Sequence, residues 1–113
     1  MSLAPECPVV RELTIAFEKR DDFTAAEMRD YYHETHAPLV SELPNLVGYE
    51  VTFPADPDRS PYDGIARLRF PDAEAMREAM ETETAAAMQE DATAFADMEA
   101  TVQVVGETTD LLE

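Results

Sequence analysis

The chain has 113 residues, a single cysteine, and 25 acidic side chains against 8 basic ones, for a formal charge of −17. That length suits one compact domain with one core, the lone Cys7 rules out an internal disulfide, and a polyanion repels both nucleic acid and anionic lipid. No run approaches the roughly 18 apolar residues of a membrane span, and "MSLAPECPVV" lacks the basic-then-apolar layout of a signal peptide, so a cytoplasmic protein is expected.

Residues 1–8 read as a leader, and Cys7 within it as a thiol without chemistry. "RELTIAFEK" then alternates: Leu13, Ile15 and Phe17 share one side, Glu12, Thr14 and Glu18 the other, which predicts a half-buried strand. Thr24 with Glu27 three residues on forms a capping box. Met28, Tyr32, Thr35 and Leu39 follow it at helical spacing, so an amphipathic helix is expected. Pro38 lacks a backbone donor and disfavours helix at Ala37, so a kink or restart is expected there, with the end before Pro44.

"LVGYEVTF" predicts a second strand with Val47, Tyr49, Val51 and Phe53 on one face. "PADPDRSP" reads as an irregular loop. "YDGIARLRF" predicts a third strand with Arg67 and Arg69 on one face and Leu68 and Phe70 on the other, the arginine face being wet, paired or beside a polar pocket. Asp72 caps a short helix through Ala73, Met76, Ala79 and Met80. Thr82 or Thr84 caps a further one through Met88, Ala92 and Phe95. "ATVQVVGET" supplies a last strand through Val102 and Val104, and residues 110–113 form a tail. Met76, Met80, Met88 and Met98 read as core packing.

Residues 9–109 thus read as one α+β domain of order βαββαβ, the ferredoxin-like split unit, with helices on one face of an antiparallel sheet. The opposite face needs a cover, and a second copy is the simplest one, so a homodimer is expected. Two copies carry −34, twice the −17 of one chain. The charge is either a merely acidic surface or an adaptation to a salt-rich (halophilic) cytoplasm, where short-range screening removes self-repulsion. Lys19, the only lysine beside seven arginines, favours the second. Disorder does not fit a chain that is 45% hydrophobic and clearly periodic.

Both histidines lie in "YYHETHAPLV". With Met28 at the centre of the apolar stripe, His36 falls roughly 80° away, on its border, and His33 roughly 140° away, on the polar side. A zinc site wants three or four converging ligands, and no third histidine or nearby cysteine exists, so no metal is assigned. His33 reads as a solvated side chain. His36 is either a core histidine bonded to a backbone carbonyl or a general acid or base at a pocket between helix and sheet, since its reference pKa of about 6.5 lies near working pH.

"EMRDYYHETHAPLVSELPNLVGYEV" resembles the signature of the EthD family, within the dimeric α/β-barrel superfamily. The matching residues are Tyr31, Tyr32, His36, Ala37, Pro38, Leu39, Leu43, Pro44, Leu46, Gly48 and Tyr49. "YDGIARLRF" and "FPDAEAM" resemble the family's third strand and second-helix start, and "QEDATAF", with Asp91 and Phe95, matches more loosely. The chain departs from the pattern at Asn45, where glycine is common, and in having no tryptophan. The resemblance implies a ferredoxin-like dimer with a pocket in each subunit and His36 as the family's histidine. The family is linked with oxidative breakdown of ethers and tailoring of aromatic polyketides.

The reading that follows is a small-molecule enzyme, oxidative in character, acting on an apolar or aromatic compound. His36 would move a proton, and Tyr32 and Tyr49 would line and orient. Asp63 or Arg67 would hold a polar substrate group if the third strand presents that face inward. A lyase or isomerase would use the same proton transfer, and a non-catalytic ligand-binding or accessory dimer is the alternative of another class. Three glycines and no nucleotide-binding motif leave no flavin or nicotinamide site expected. No cofactor is predicted, with noncovalent haem on His36 left open.

Overall fold

The computed structural model describes residues 9–112. The expected leader, with Cys7 in it, and Glu113 lie outside the described residues. The elements are β1 (Val9–Phe17), α1 (Ala25–Tyr31), a π turn (Tyr32–His36), α2 (Ala37–Val40), β2 (Gly48–Thr52), β3 (Gly64–Phe70), α3 (Ala73–Met80), α4 (Glu83–Phe95) and β4 (Val102–Thr109). All neighbouring strands are antiparallel, in the order β2-β3-β1-β4. This is the expected ferredoxin-like α+β fold.

Local chemistry starts each helix where the sequence placed it. The Glu27 N–H donates to Thr24 Oγ1 at 3.1 Å, and the Thr24 N–H donates to Glu27 Oε1 at 2.9 Å, closing the capping box. Asp72 accepts from the Ala75 N–H at 2.8 Å. Thr82, not Thr84, caps α4, accepting from the Ala85 N–H at 3.2 Å. The second helical segment is therefore split in two. Asn45 takes the left-handed backbone position of the turn before β2, with φ of 67°. That conformation suits glycine or asparagine, so the departure from the family's glycine is accommodated.

Pairing register sorts the sheet into two faces. Tyr49, Leu68, Leu13 and Val105 line up across the four strands on the helix side. Leu13, Ala66, Leu68 and Phe70 are buried there against Val40, Met76 and Met88. Each such large side chain contributes about 2 kcal/mol of burial. Of the four methionines expected as core, Met76 and Met88 are buried, but Met98 is 44% exposed.

On the other face Glu50, Arg67, Thr14 and Val104 line up. Arg69 donates to Glu12 at 2.9 Å and to Glu50 at 3.0 Å, and Thr14 donates to the second oxygen of Glu12 at 3.0 Å. Arg67 donates to Thr52 at 3.0 Å. The arginine face is thus paired, and buried Glu12 has both oxygens satisfied. Among the described residues β4 has a neighbour on one side only, and Val102, Val104 and Val105 are 48%, 61% and 55% exposed. Among the described residues, no helix is long and apolar enough to cross a membrane.

The first helix departs from its expected phase. Met28, Tyr32, His36 and Val40 are the buried positions, while Thr35 is exposed and Leu39 only half-buried. The reason is the π turn. The Ala37 N–H reaches back five residues to the Tyr32 carbonyl, so each turn takes up more residues and the buried stripe runs four, four, four instead of four, three, four. Pro38 then sits in the first turn of α2, where its missing donor is harmless.

Gly64 packs against the Phe17 ring across the β1–β3 pair. A methyl group there would run into that ring, which in turn stacks on Tyr32 at 5.8 Å. Gly64→Ala is expected to destabilise the fold by about 1–3 kcal/mol, the usual range for overpacking. Denaturant melts check this; unchanged stability would mean that the ring slides freely.

Candidate active site

The helix layer does not pack solidly on the sheet near the C-terminal end of β1. A cavity of about 290 Å³ opens there, walled by β1, β3 and β4 on one side and by the π turn, α3 and α4 on the other. Leu13, Ile15, Leu68, Met76, Met80 and Met88 give it an apolar lining, and His36, Gln89, Thr101 and Gln103 are its hydrogen-bonding side chains. Among the described lining residues there is no Lys, Arg, Asp or Glu.

An aromatic cluster fixes one end. Phe17 stacks on Tyr32 with an interplanar angle of 3°. Phe95 meets Phe17, Tyr32 and His36 edge-on at 5.6, 5.6 and 4.9 Å. The π turn brings Tyr32 and His36 onto the same inward side, and both are buried.

His36 is bound on one side and open on the other. Its Nδ1 lies 2.9 Å from Asp91 Oδ2. A carboxylate only accepts, so Nδ1 carries the proton and Nε2 has the free lone pair. Nε2 has no hydrogen-bond partner among the described residues, and none of their buried side-chain nitrogens or oxygens is left unpaired. The His36 ring forms part of the cavity wall. Burial pushes the His36 pKa below its ordinary value, partly opposed by the hydrogen bond and charge of Asp91. That shift favours the neutral ring, a base, at neutral pH.

The remaining sequence-predicted residues fall in different places. The Tyr32 ring is on the wall, but its hydroxyl points behind it to the Tyr49 hydroxyl, 2.6 Å away. Burial raises the pKa of both phenols, so both stay protonated. Tyr49 thus anchors Tyr32 instead of lining the cavity. Asp63 accepts the Lys19 N–H at 2.8 Å, and its own N–H donates to the Phe17 carbonyl at 2.8 Å, tying the end of β1 to the start of β3. Arg67 projects from the opposite face of the sheet, so the condition on which it would hold a substrate group is not met in this cavity. His33 is exposed, with Nδ1 2.9 Å from the Arg29 carbonyl oxygen. Among the described residues, no three His, Cys, Asp or Glu side chains converge as metal ligands would.

The sequence reading did not place Asp91 or Tyr31 in the site. Asp91 Oδ1 accepts from the Tyr31 hydroxyl at 2.6 Å, which pushes the phenol up to about 12. A signal for Asp91 existed: Met88, Asp91, Ala92 and Phe95 run at spacing three, four and seven. A carboxylate in an otherwise apolar helical stripe needs a partner.

The EthD domain profile matches residues 20–99. Among solved structures, an ethyl tert-butyl ether D (EthD) family protein from Bacillus halodurans superposes with a TM-score of 0.75 at 27% identity, covering 88% of this chain and 98% of that one. A dimeric ferredoxin-like protein of unknown function from Thermobifida fusca gives 0.68 at 12% identity, covering 90% and 92%. SnoaB from Streptomyces nogalater, described as a cofactor-independent oxygenase, gives 0.53 at 16%, covering 94% and 96%. The last two likenesses concern the fold alone. No curated protein matches the sequence.

Proposed function

This chain belongs to the EthD family, and from that premise we propose that it is a homodimeric small-molecule enzyme of oxygenase type whose substrate enters the His36 cavity. The observation that carries the reading is a His36 ring on the wall of an apolar hollow, with Nδ1 held by Asp91 and Nε2 without a partner among the described residues. A neutral imidazole there takes a proton from an O–H or an activated C–H of the bound molecule. The anion left behind gives one electron to dioxygen, the oxidant of this reading; the radical pair joins through a new C–O bond, and the hydroperoxide, protonated by the His36 imidazolium, breaks its O–O bond, so that a CH2 group and O2 become a carbonyl and water. The reading asks for no resident organic cofactor, which the fold shared with a cofactor-independent oxygenase supports. Visible absorbance of a haem or flavin in the purified protein would overturn that part.

The lining also selects the substrate. With no charged lining residue among those described and a net charge of −17, an anionic ligand meets neither a counter-ion nor a favourable field. A cavity of about 150 Å³ holds one benzene ring, so 290 Å³ accommodates about two. A neutral, largely apolar molecule of that size, bearing one acidic proton, fits best.

2-Naphthol and 2-naphthoate test this as neutral and anionic probes of one shape. The chain has no tryptophan, so probe fluorescence is read cleanly. Saturable binding of 2-naphthol is expected, weakened about three- to tenfold in His36→Ala by loss of one hydrogen bond. Equal binding of 2-naphthoate would contradict the neutral-ligand reading. Proton exchange without oxygen uptake would turn the assignment to an isomerase or lyase. Ligand binding that never leads to turnover would leave a carrier or accessory dimer.

A further inference from the structure

Asp91 divides its carboxylate between two partners: Oδ2 faces the His36 ring and Oδ1 takes the Tyr31 hydroxyl proton. The three groups converge from the last residue of α1, the last residue of the π turn and the middle of α4. The Tyr31 ring is itself held, edge-on to Phe23 at 5.8 Å and tilted against Phe95 at 5.7 Å. A carboxylate with one free oxygen can rotate away from an imidazole. One with both oxygens engaged must break two bonds to do so.

We propose that Tyr31 is a positioning residue for His36, acting through Asp91: its hydroxyl pins the carboxylate on the Nδ1 side of the ring and withholds part of the negative charge that the imidazole would otherwise receive. This rests on the reading of His36 as the base of the site. It deepens that reading by adding the group that keeps the base neutral and its tautomer single.

Few other groups face the ring. Asp91 comes from α4, Tyr32 from the same helix, and Tyr49 from β2 stands behind Tyr32. β1, β3, α3 and β4 contribute no ionisable side chain to the cavity wall. The balance at His36 is therefore between its own burial and one carboxylate. How far that carboxylate favours the imidazolium depends on how much of its charge is already committed to Tyr31.

The test is an NMR titration of the chain's two histidines, with exposed His33 as internal reference. In Tyr31→Phe the proton affinity of His36 is expected to rise about three- to tenfold. Asp91→Asn is expected to lower it. Phenylalanine keeps the packing against Phe23 and Phe95, so the variant retains its fold. The unsubstituted protein supplies a second readout that does not depend on that variant: nitrogen shifts of neutral His36 must show Nδ1 protonated and Nε2 bare. A His36 affinity that is unchanged or lower in Tyr31→Phe, or the opposite tautomer in the unsubstituted protein, overturns the proposal. The titration needs no substrate, so its failure is distinct from a failure of His36 to support turnover.

Discussion

His36→Ala is expected to lower turnover a hundred- to ten-thousandfold, the usual contribution of a positioned general base, while the fold and the proposed dimer persist. The native state loses one buried hydrogen bond, about 1 kcal/mol; Asp91 keeps its bond to Tyr31. Circular dichroism and sedimentation establish that the variant is folded and paired before its activity is read. A folded variant with undiminished turnover would remove His36 from the chemistry. The pH dependence follows from the same group. As a base His36 works unprotonated, and burial holds its pKa below the ordinary value of about 6.5. Activity is expected to be level at neutral pH and to fall only in acid. Stability moves the same way. Below about pH 6.5 the unfolded chain binds a proton at this position that the native ring binds less readily, so stability falls as pH drops through that window and is flat above it. In His36→Ala that part of the acid destabilisation should vanish.

Val104→Asp is the second large effect, and it tests the dimer. Val104 lies on the sheet face away from the helices and is 61% exposed in one subunit, with Val102 beside it on the same strand. In the proposed homodimer this face meets a second copy. Burying an unpaired carboxylate there is expected to weaken association by at least about 3 kcal/mol, more than a hundredfold in Kd. Sedimentation at several protein concentrations measures it. The unsubstituted protein should itself associate more tightly in molar KCl than in dilute buffer, because two chains bring −34 together and molar salt screens charges beyond about 3 Å. Its melting temperature should rise over the same range. A Val104→Asp protein as dimeric as its parent would exclude this face as the interface.

The fold was legible because its signals are local. Thr24, Asp72 and Thr82 announce helix starts through bonds spanning three residues. The alternation of Leu13, Ile15 and Phe17 declares a strand face without reference to anything distant. The candidate site was legible only where it shares that locality. His36 was singled out by its surroundings in "HAPLV", yet a regular 3.6-residue turn left it on the border of the buried stripe. The π turn before Pro38 moved it inward, and a helix's phase cannot be read from spacing that assumes that phase to be regular.

By itself, then, the sequence determined the element order, the helix caps and the two faces of each strand, since each depends on neighbours a few residues apart, and it singled out His36 only through its likeness to a family signature. Tertiary structure alone decided that Asp91, 55 positions further on, would meet that histidine and share its carboxylate with Tyr31. It also turned Arg67 away from the cavity and set Tyr49 behind Tyr32. Those outcomes depend on how α4 and the sheet pack against the first helix, which residue spacing within one element does not encode.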